Sequence, residues 1–453
     1  MDKDNETYLK LFLGRSNHHH RQSLLSKKGK SRAMAFVMVC FAATFLAFTV
    51  WNINSTFSGG ASILMKKKVS PVPIPEAQEE FPLRCTQPHV REKCPRDYPT
   101  SHKPTGPART CPSYFKWIHE DLKAWKERGI TREMVEGARR TAHFRVVIVD
   151  GRVYVEKYKK SIQTRDVFTL WGIMQLLRMY PGKVPDLELL FDCDDRPVIP
   201  KGRFQGPNAA TPPLFRYCSD QWSFDIVFPD WSFWGWAEIN IKPWKYVLED
   251  IKNGNKKTKW KERVPYAYWK GNPHVTPTRK NLMKCNLTEK DDWNTRLYIQ
   301  DWEQESHQGF KQSNLGDQCT HRYKIYVEGW AWSAEAIGEA ASRFIHEDMD
   351  MDHVYDYMFH LLNEYAKLLR FKPVIPPKAV EYCPETMACA LNGTERRFME
   401  DSIVKFPSDS NPCTIPPPYD ATSLQQFLDR KANSIRQVEI WEDEYWESKK
   451  KVQ

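Results

Sequence analysis

Apolar and polar positions recur along the chain with two different periods, and each change of period marks an element. "CPSYFKWIHEDLKAWKERG", residues 111–129, spaces its apolar side chains three and four apart and stops at Gly129, which predicts an amphipathic helix. "FRVVIVDGRVYVEKY", residues 144–158, holds two β-rich runs around Asp150-Gly151, the signal of a tight hairpin. Helical spacing returns in "RDVFTLWGIMQLLRMYPG", residues 165–182. "VPDLELLFDCDD", residues 184–195, reads as a buried strand ending in carboxylates, and "SFDIVFPD", residues 223–230, as a second strand. Short strand-like runs follow within 264–281, 295–302 and 321–333. After Ser333 the pattern is helical, over 334–349 and over 352–371, where Val354, Met358, Leu361, Leu362, Tyr365, Leu368 and Leu369 share one stripe. No strand-like run occurs between Val327 and Phe371, and a charged helix closes the chain from residue 424. Helices alternating with apolar strands predict an α/β layered fold.

Two stretches fall outside this pattern. Ala33 to Trp51 is 19 residues without a charge, enough to span about 30 Å of hydrocarbon as a helix. The 32 residues before it carry eight Lys/Arg against three Asp/Glu, so the positive-inside rule places them in the cytosol and the rest of the chain in the lumen. The expected organisation is therefore a basic tail (1–32), a type II signal anchor (33–51) and a stem (52–108) with nine prolines between 69 and 110. A globular domain (109–378) and a cysteine-containing tail (379–453) with the charged helix come after it.

The net charge of +10 suggests a polyanion partner only until its location is considered. The first 32 residues supply +5 and Lys66 to Lys68 supply +3, leaving +2 for everything else. No nucleic acid partner is expected from so balanced a body. Ten of the 11 cysteines lie beyond the apolar span, an even number in an oxidising compartment, so disulfides are the default. The absence of C-x-x-C pairs argues against a zinc site. Asn54, Asn286 and Asn392 head glycosylation triplets.

The chemistry-bearing residues concentrate in three stretches. "LLFDCDDRP", residues 189–197, sets Asp192, Asp194 and Asp195 at the carboxyl end of a predicted strand, where ligands bind in open α/β sheets. Asp192 and Asp194 have the D-x-D spacing that holds a divalent metal; one of the three carboxylates could equally serve as a general base, or the group could be a polar turn. "YAYWKGNPHVTPTR", residues 266–279, places Lys270 and Arg279 on either side of Gly271, a geometry suited to a diphosphate but also to a solvated loop. "DWSFWGWAEINIKPW", residues 230–244, gathers four tryptophans, as core or as a stacking platform for sugars.

Taken in order with "C-x-x-x-YKIYVEGWAWS" (319–333) and "ASRFIHEDMDMDHVYDYMFHLLNEYAKLL" (341–369), these stretches resemble the Rumi-type protein O-glucosyltransferases and capsule-associated xylosyltransferases, glycosyltransferase family ninety. The likeness runs over about residues 108–380 and is greatest to membrane-anchored plant members. It implies a GT-B-like fold of two Rossmann lobes and inverting transfer of glucose or xylose from UDP-glucose or UDP-xylose to a protein or glycan hydroxyl. No metal or other cofactor is implied, and the expected location is the Golgi or endoplasmic reticulum membrane. The aspartate two residues before the turn proline, here Asp195, is the implied general base, which makes Asp192 and Asp194 its neighbours and not metal ligands. Lys270 and Gly271, with Arg279, fall on the donor side, as do Glu328, Gly329 and Ser333 of the "EG" motif.

One departure stands out. The family continues from that motif through a Ser-x-Lys/Arg-Tyr helix and a further strand, whereas here "YVEGWAWS" runs straight into "AEAIGEAASRF". The expectation is an internal deletion after Ser333, a truncated donor lobe and a weakened or lost activity. Two alternatives remain at this level: a non-catalytic lumenal sugar- or partner-binding protein, and a metal-dependent enzyme of the GT-A kind using Asp192 and Asp194.

Overall fold

The computed structural model describes residues 81–86, 92–107, 109–206, 209–327 and 348–450. The apolar run at 33–51, Glu328, Gly329, Ser333 and nearly all of the helix expected over 334–349 lie outside the described residues. Among those described, no helix is long and apolar enough to cross a membrane.

The predicted helix over 111–129 is three short pieces, with α1 (Trp117–Asp121) flanked by 3-10 turns. The predicted face is nonetheless the buried one, with Phe115, Ile118, Leu122 and Trp125 all in the core. Gly129 sits at φ +75°, and a Cβ there would meet the carbonyl oxygen of Leu368 at 2.7 Å. No L side chain fits that left-handed corner. After α2 (Arg132–Gly137), β1 (Phe144–Val149) and β2 (Arg152–Lys157) form the expected hairpin, with Asp150 and Gly151 both at positive φ, as a type I′ turn requires.

Helix α3 (Arg165–Met179) is buried along most of its length, and β3 (Leu187–Phe191) is buried at every residue. The two-residue strands β4 (Phe215–Arg216) and β5 (Ile226–Val227) complete one side of the sheet. The next group is α4 (Trp244–Lys257), β6 (Val264–Gly271), α5 (Pro277–Leu282), β7 (Thr295–Ile299), α6 (Trp302–His307) and β8 (His321–Lys324). The chain ends with α7 (Met351–Leu368), β9 (Val380–Tyr382), α8 (Pro384–Ala388), α9 (Gly393–Asp401) and α10 (Ala421–Lys450).

These strands build two sheets. The larger has the order β5-β4-β3-β1-β2-β9; β3, β4 and β5 run parallel, and the hairpin makes the rest antiparallel. It is thus mixed, not the wholly parallel sheet that a Rossmann lobe implies. The smaller, β7-β6-β8, is parallel throughout. Helix α7 packs on β3 and α3, with Tyr365 set edge-on to Phe215 at 4.9 Å.

The expected boundary at 378–379 does not separate a tail. Strand β9 pairs with β2, and Met387, Phe398, Met399 and Cys413 belong to the main core. Disulfides Cys85–Cys389, Cys94–Cys383 and Cys111–Cys413 tie the end of the proline-rich stretch to this segment. Closing loops of about 300 residues removes much of the unfolded chain's freedom. The expected disulfides are present, and Cys193, Cys218, Cys285 and Cys319 stay free thiols. Cys193 is enclosed at the end of β3, and burial pushes its thiol well up.

Candidate functional site

The three aspartates after β3 have three different environments. Asp192 is only 2% exposed. Arg216 Nη1 lies 2.6 Å from its Oδ2, and the Asp194 N–H donates to its Oδ1 at 3.0 Å. His143 Nδ1 is 3.0 Å from both Asp192 Oδ1 and Cys193 N. A protonated ring therefore donates to the carboxylate, and the Nε2–H tautomer accepts from Cys193. Burial opposes ionisation of Asp192, but the His143 hydrogen bond and the Arg216 charge outweigh it and hold the carboxyl below its usual range.

Arg216 is itself fully buried, also donates to the Asp194 carbonyl at 2.7 Å and lies beside Asp225. Asp225 accepts from the backbone of Val198 and Ile199, so this ionic knot fixes the turn that carries Asp194 and Asp195. Asp194 faces solvent, with Lys159 Nζ and His143 Nε2 each 3.7 Å away. Single ligand atoms of His143, Asp192 and Asp194 lie within 4.8 Å of one another, a set that could hold a cation. The guanidinium on Asp192 Oδ2 places a fixed positive charge beside that set.

Asp195 has a half-open side chain, 31% exposed, and is gripped by Arg165. Arg165 Nη1 also donates to the Cys193 carbonyl at 3.0 Å, and its guanidinium lies 4.4 Å from the Trp231 ring. Arg165 opens α3, so this helix aims one of its first side chains at the carboxyl end of β3. Asp230 caps the adjoining turn by accepting the Ser232 N–H at 2.8 Å. Burial pushes its carboxyl up to about 6, with the Asp195 charge acting in the same direction and Ser232 and Arg165 against it. The tryptophan stretch is core: Trp231 and Trp234 are buried, and a Cβ on Gly172 would strike the Trp234 ring at 2.4 Å.

The expected donor-side residues lie on the other sheet. Lys270 and Gly271 end β6, but Lys270 Nζ is 2.6 Å from Glu305 Oε1 and 3.3 Å from the Gln312 carbonyl. Burial of Glu305 resists ionisation, while Lys270 and Ser313 more than offset it and hold that carboxyl low. A Cβ on Gly271 would meet the Trp269 ring at 2.6 Å, so the glycine is required by packing. Arg279 lies on α5 with its guanidinium 5.7 Å from the Trp269 ring, and its Nη2 donates to the Val327 carbonyl at 3.2 Å. The structure thus brings Lys270, Gly271 and Arg279 together at one strand end and places Asp195 on a different sheet. Arg165, Arg216, His143, Asp230 and Glu305 were not singled out from the sequence; all but Asp230, which bonds to Ser232 two residues on, act through a partner remote in the chain.

A carboxylate beyond one strand terminus and basic residues beyond another lie where ligands bind in open α/β sheets. The profile of "Glycosyl transferase family 90" matches residues 106–336 and 333–442, and the chain belongs to that family. It is 23% identical over 338 residues to protein O-glucosyltransferase 1 of Homo sapiens, covering 58% of this chain and 82% of that one. The Bos taurus protein of the same name is 26% identical over 240 residues, 49% of this chain and 57% of the relative. O-glucosyltransferase rumi of Drosophila melanogaster is 22% identical over 258 residues, 53% and 59%.

Proposed function

We propose that this family-90 glycosyltransferase descends from an inverting, metal-independent enzyme that moves glucose or xylose from a UDP-sugar to a protein or glycan hydroxyl. Asp195 is the general base. The observation that carries this reading is the division of labour after β3: Asp192 is spent on Arg216, while Asp195 is accessible and held in one orientation by Arg165. A hydroxyl is a poor nucleophile until a carboxylate takes its proton. Positive charge at the ends of β6 and α5 would stabilise the leaving diphosphate. The protein is anchored through residues 33–51, lumen-facing, in the Golgi or endoplasmic reticulum membrane. The acceptor is a lumenal protein or glycan.

In this 453-residue form the donor lobe is incomplete. Three features support that reading. The family profile matches in two segments that meet at 333–336. Among the described residues the parallel sheet β7-β6-β8 has three strands. Lys270, one of the two cations at this strand end, is paired with Glu305, which leaves less charge for a diphosphate. The same features favour, as a second reading, a protein that keeps an acceptor-side surface and binds without transfer.

The test uses this chain and a form with the segment between residues 333 and 334 restored. Calorimetry with UDP should give no heat for this chain and micromolar binding for the restored one. In the restored form Asp195→Asn should remove transfer, by about 10²–10⁴-fold, and leave donor affinity in place. Transfer that survives Asp195→Asn but stops on adding a chelator would assign the reaction to a metal at Asp192 and Asp194 instead.

A further inference from the structure

We propose that the protein self-associates by antiparallel pairing of α10 with the same helix of a second copy. At 30 residues α10 is about 45 Å long. Its first turns are anchored, with Phe427 against Trp117 and Tyr419. From Lys431 onward every residue of the helix whose side chain is described is exposed, apart from the partly buried Gln437. In proteins most of a helix's stability comes from packing an amphipathic face.

That face is not polar. Leu428, Val438, Trp441 and Tyr445 are between 40% and 49% exposed. Positions 424, 428, 431, 435, 438, 442 and 445 follow steps of four and three, the spacing of a two-helix seam. Trp446, just beside the seam, has a neighbour in Trp293 at 6.3 Å.

Two seam positions hold charges, and they choose the partner and its direction. Lys431 and Glu442 are both exposed. A parallel copy would set Lys431 against Lys431 and Glu442 against Glu442. An antiparallel copy centred between Arg436 and Gln437 sets Lys431 against Glu442 twice. The same register puts Leu428 opposite Tyr445 twice and the small Ala432 opposite Trp441. One helix is thus complementary to its own reverse in both apolar and charged positions, the condition for a two-fold contact.

Sedimentation equilibrium of the full chain in detergent micelles tests this. A concentration-dependent dimer is expected. Lys431→Glu and Glu442→Lys should each weaken it about tenfold or more, because each creates two like-charge contacts. Combining the two substitutions should bring the dissociation constant back to within about threefold of the parent, which also shows that the single variants failed by charge and not by misfolding. Val438→Asp should leave a monomer. A chain that stays monomeric at about 100 μM, or a dimer indifferent to Lys431→Glu, overturns the proposal; the second result would place the contact on another surface or in a parallel pair.

Discussion

The two sheets of this protein are opposite cases of the same construction problem. In the larger sheet β1 and β3 are buried almost throughout, α3 and α7 pack nearby, and three disulfides close the perimeter. In the smaller sheet only Trp269 and Leu297 are buried apolar strand residues, while Val264, Tyr298, Ile299 and Tyr323 are exposed. Parallel sheets normally have both faces covered, and β6, β7 and β8 do not. Burial also decides what the charged groups do. In the larger sheet it forces Asp192, Arg216 and Asp225 into a closed knot that holds the turn; at the end of β6 it leaves Lys270 and Glu305 to satisfy each other.

Hydrogen exchange should break or confirm this contrast most visibly. Amides of β6, β7 and β8 should exchange about 10³-fold faster than those of β1 and β3, because local opening there exposes little new apolar surface. Restoring the segment between 333 and 334 should close most of the gap; equal protection in the present chain would mean the smaller sheet is already complete.

Core truncation sharpens the same point. Leu190→Ala, at a fully buried β3 position, should cost about 2–5 kcal/mol. Ile299→Ala, at a position 58% exposed, should stay within about 0.5 kcal/mol. Denaturant titration of both variants reads the difference directly.

Asp230 gives a pH-dependent comparison inside the first sheet's own site. Its folded carboxyl, raised to about 6, binds a proton more readily than the unfolded one near 3.8. Stability from this group is therefore full at low pH, declines as pH rises from about 4, and is gone above about 6. Asp230→Asn keeps a capping side chain and cannot ionise. The variant should be more stable than the parent at pH 8, by about 1–2 kcal/mol, with the gap vanishing towards pH 4. Thermal unfolding at the two pH values measures it, and a gap that widens on acidification would reverse the assignment.

The smallest effect concerns glycosylation. Asn286 donates Nδ2 to the Leu297 carbonyl and accepts the Leu297 N–H, fastening the start of its loop to β7. Asn392 is exposed ahead of α9 and makes no capping hydrogen bond. Of these two triplets, mass spectrometry should find glycan at Asn392 and not at Asn286.

What the sequence determined by itself was local and periodic. The Asp150-Gly151 hairpin, the buried β3, the stripe of α7 and the end at Gly129 follow from residue spacing and from backbone angles that only certain residues adopt. The motif order around Asp195 and Lys270 placed the chain in its family, and the abrupt passage from "YVEGWAWS" to a helical pattern raised the question of a missing segment. What only the tertiary structure decided was pairing at a distance. Asp192 and Asp195 are three residues apart, and nothing in "DCDD" tells which is buried; Arg216 and Arg165, brought from β4 and the start of α3, decide it. The same holds for the disulfides, for β9 joining the sheet from beyond residue 378, and for Glu305 claiming Lys270. Spacing along a chain fixes which face a side chain takes, but the energy of a buried charge or a thiol depends on which remote group reaches it, and that is set only when the layers close.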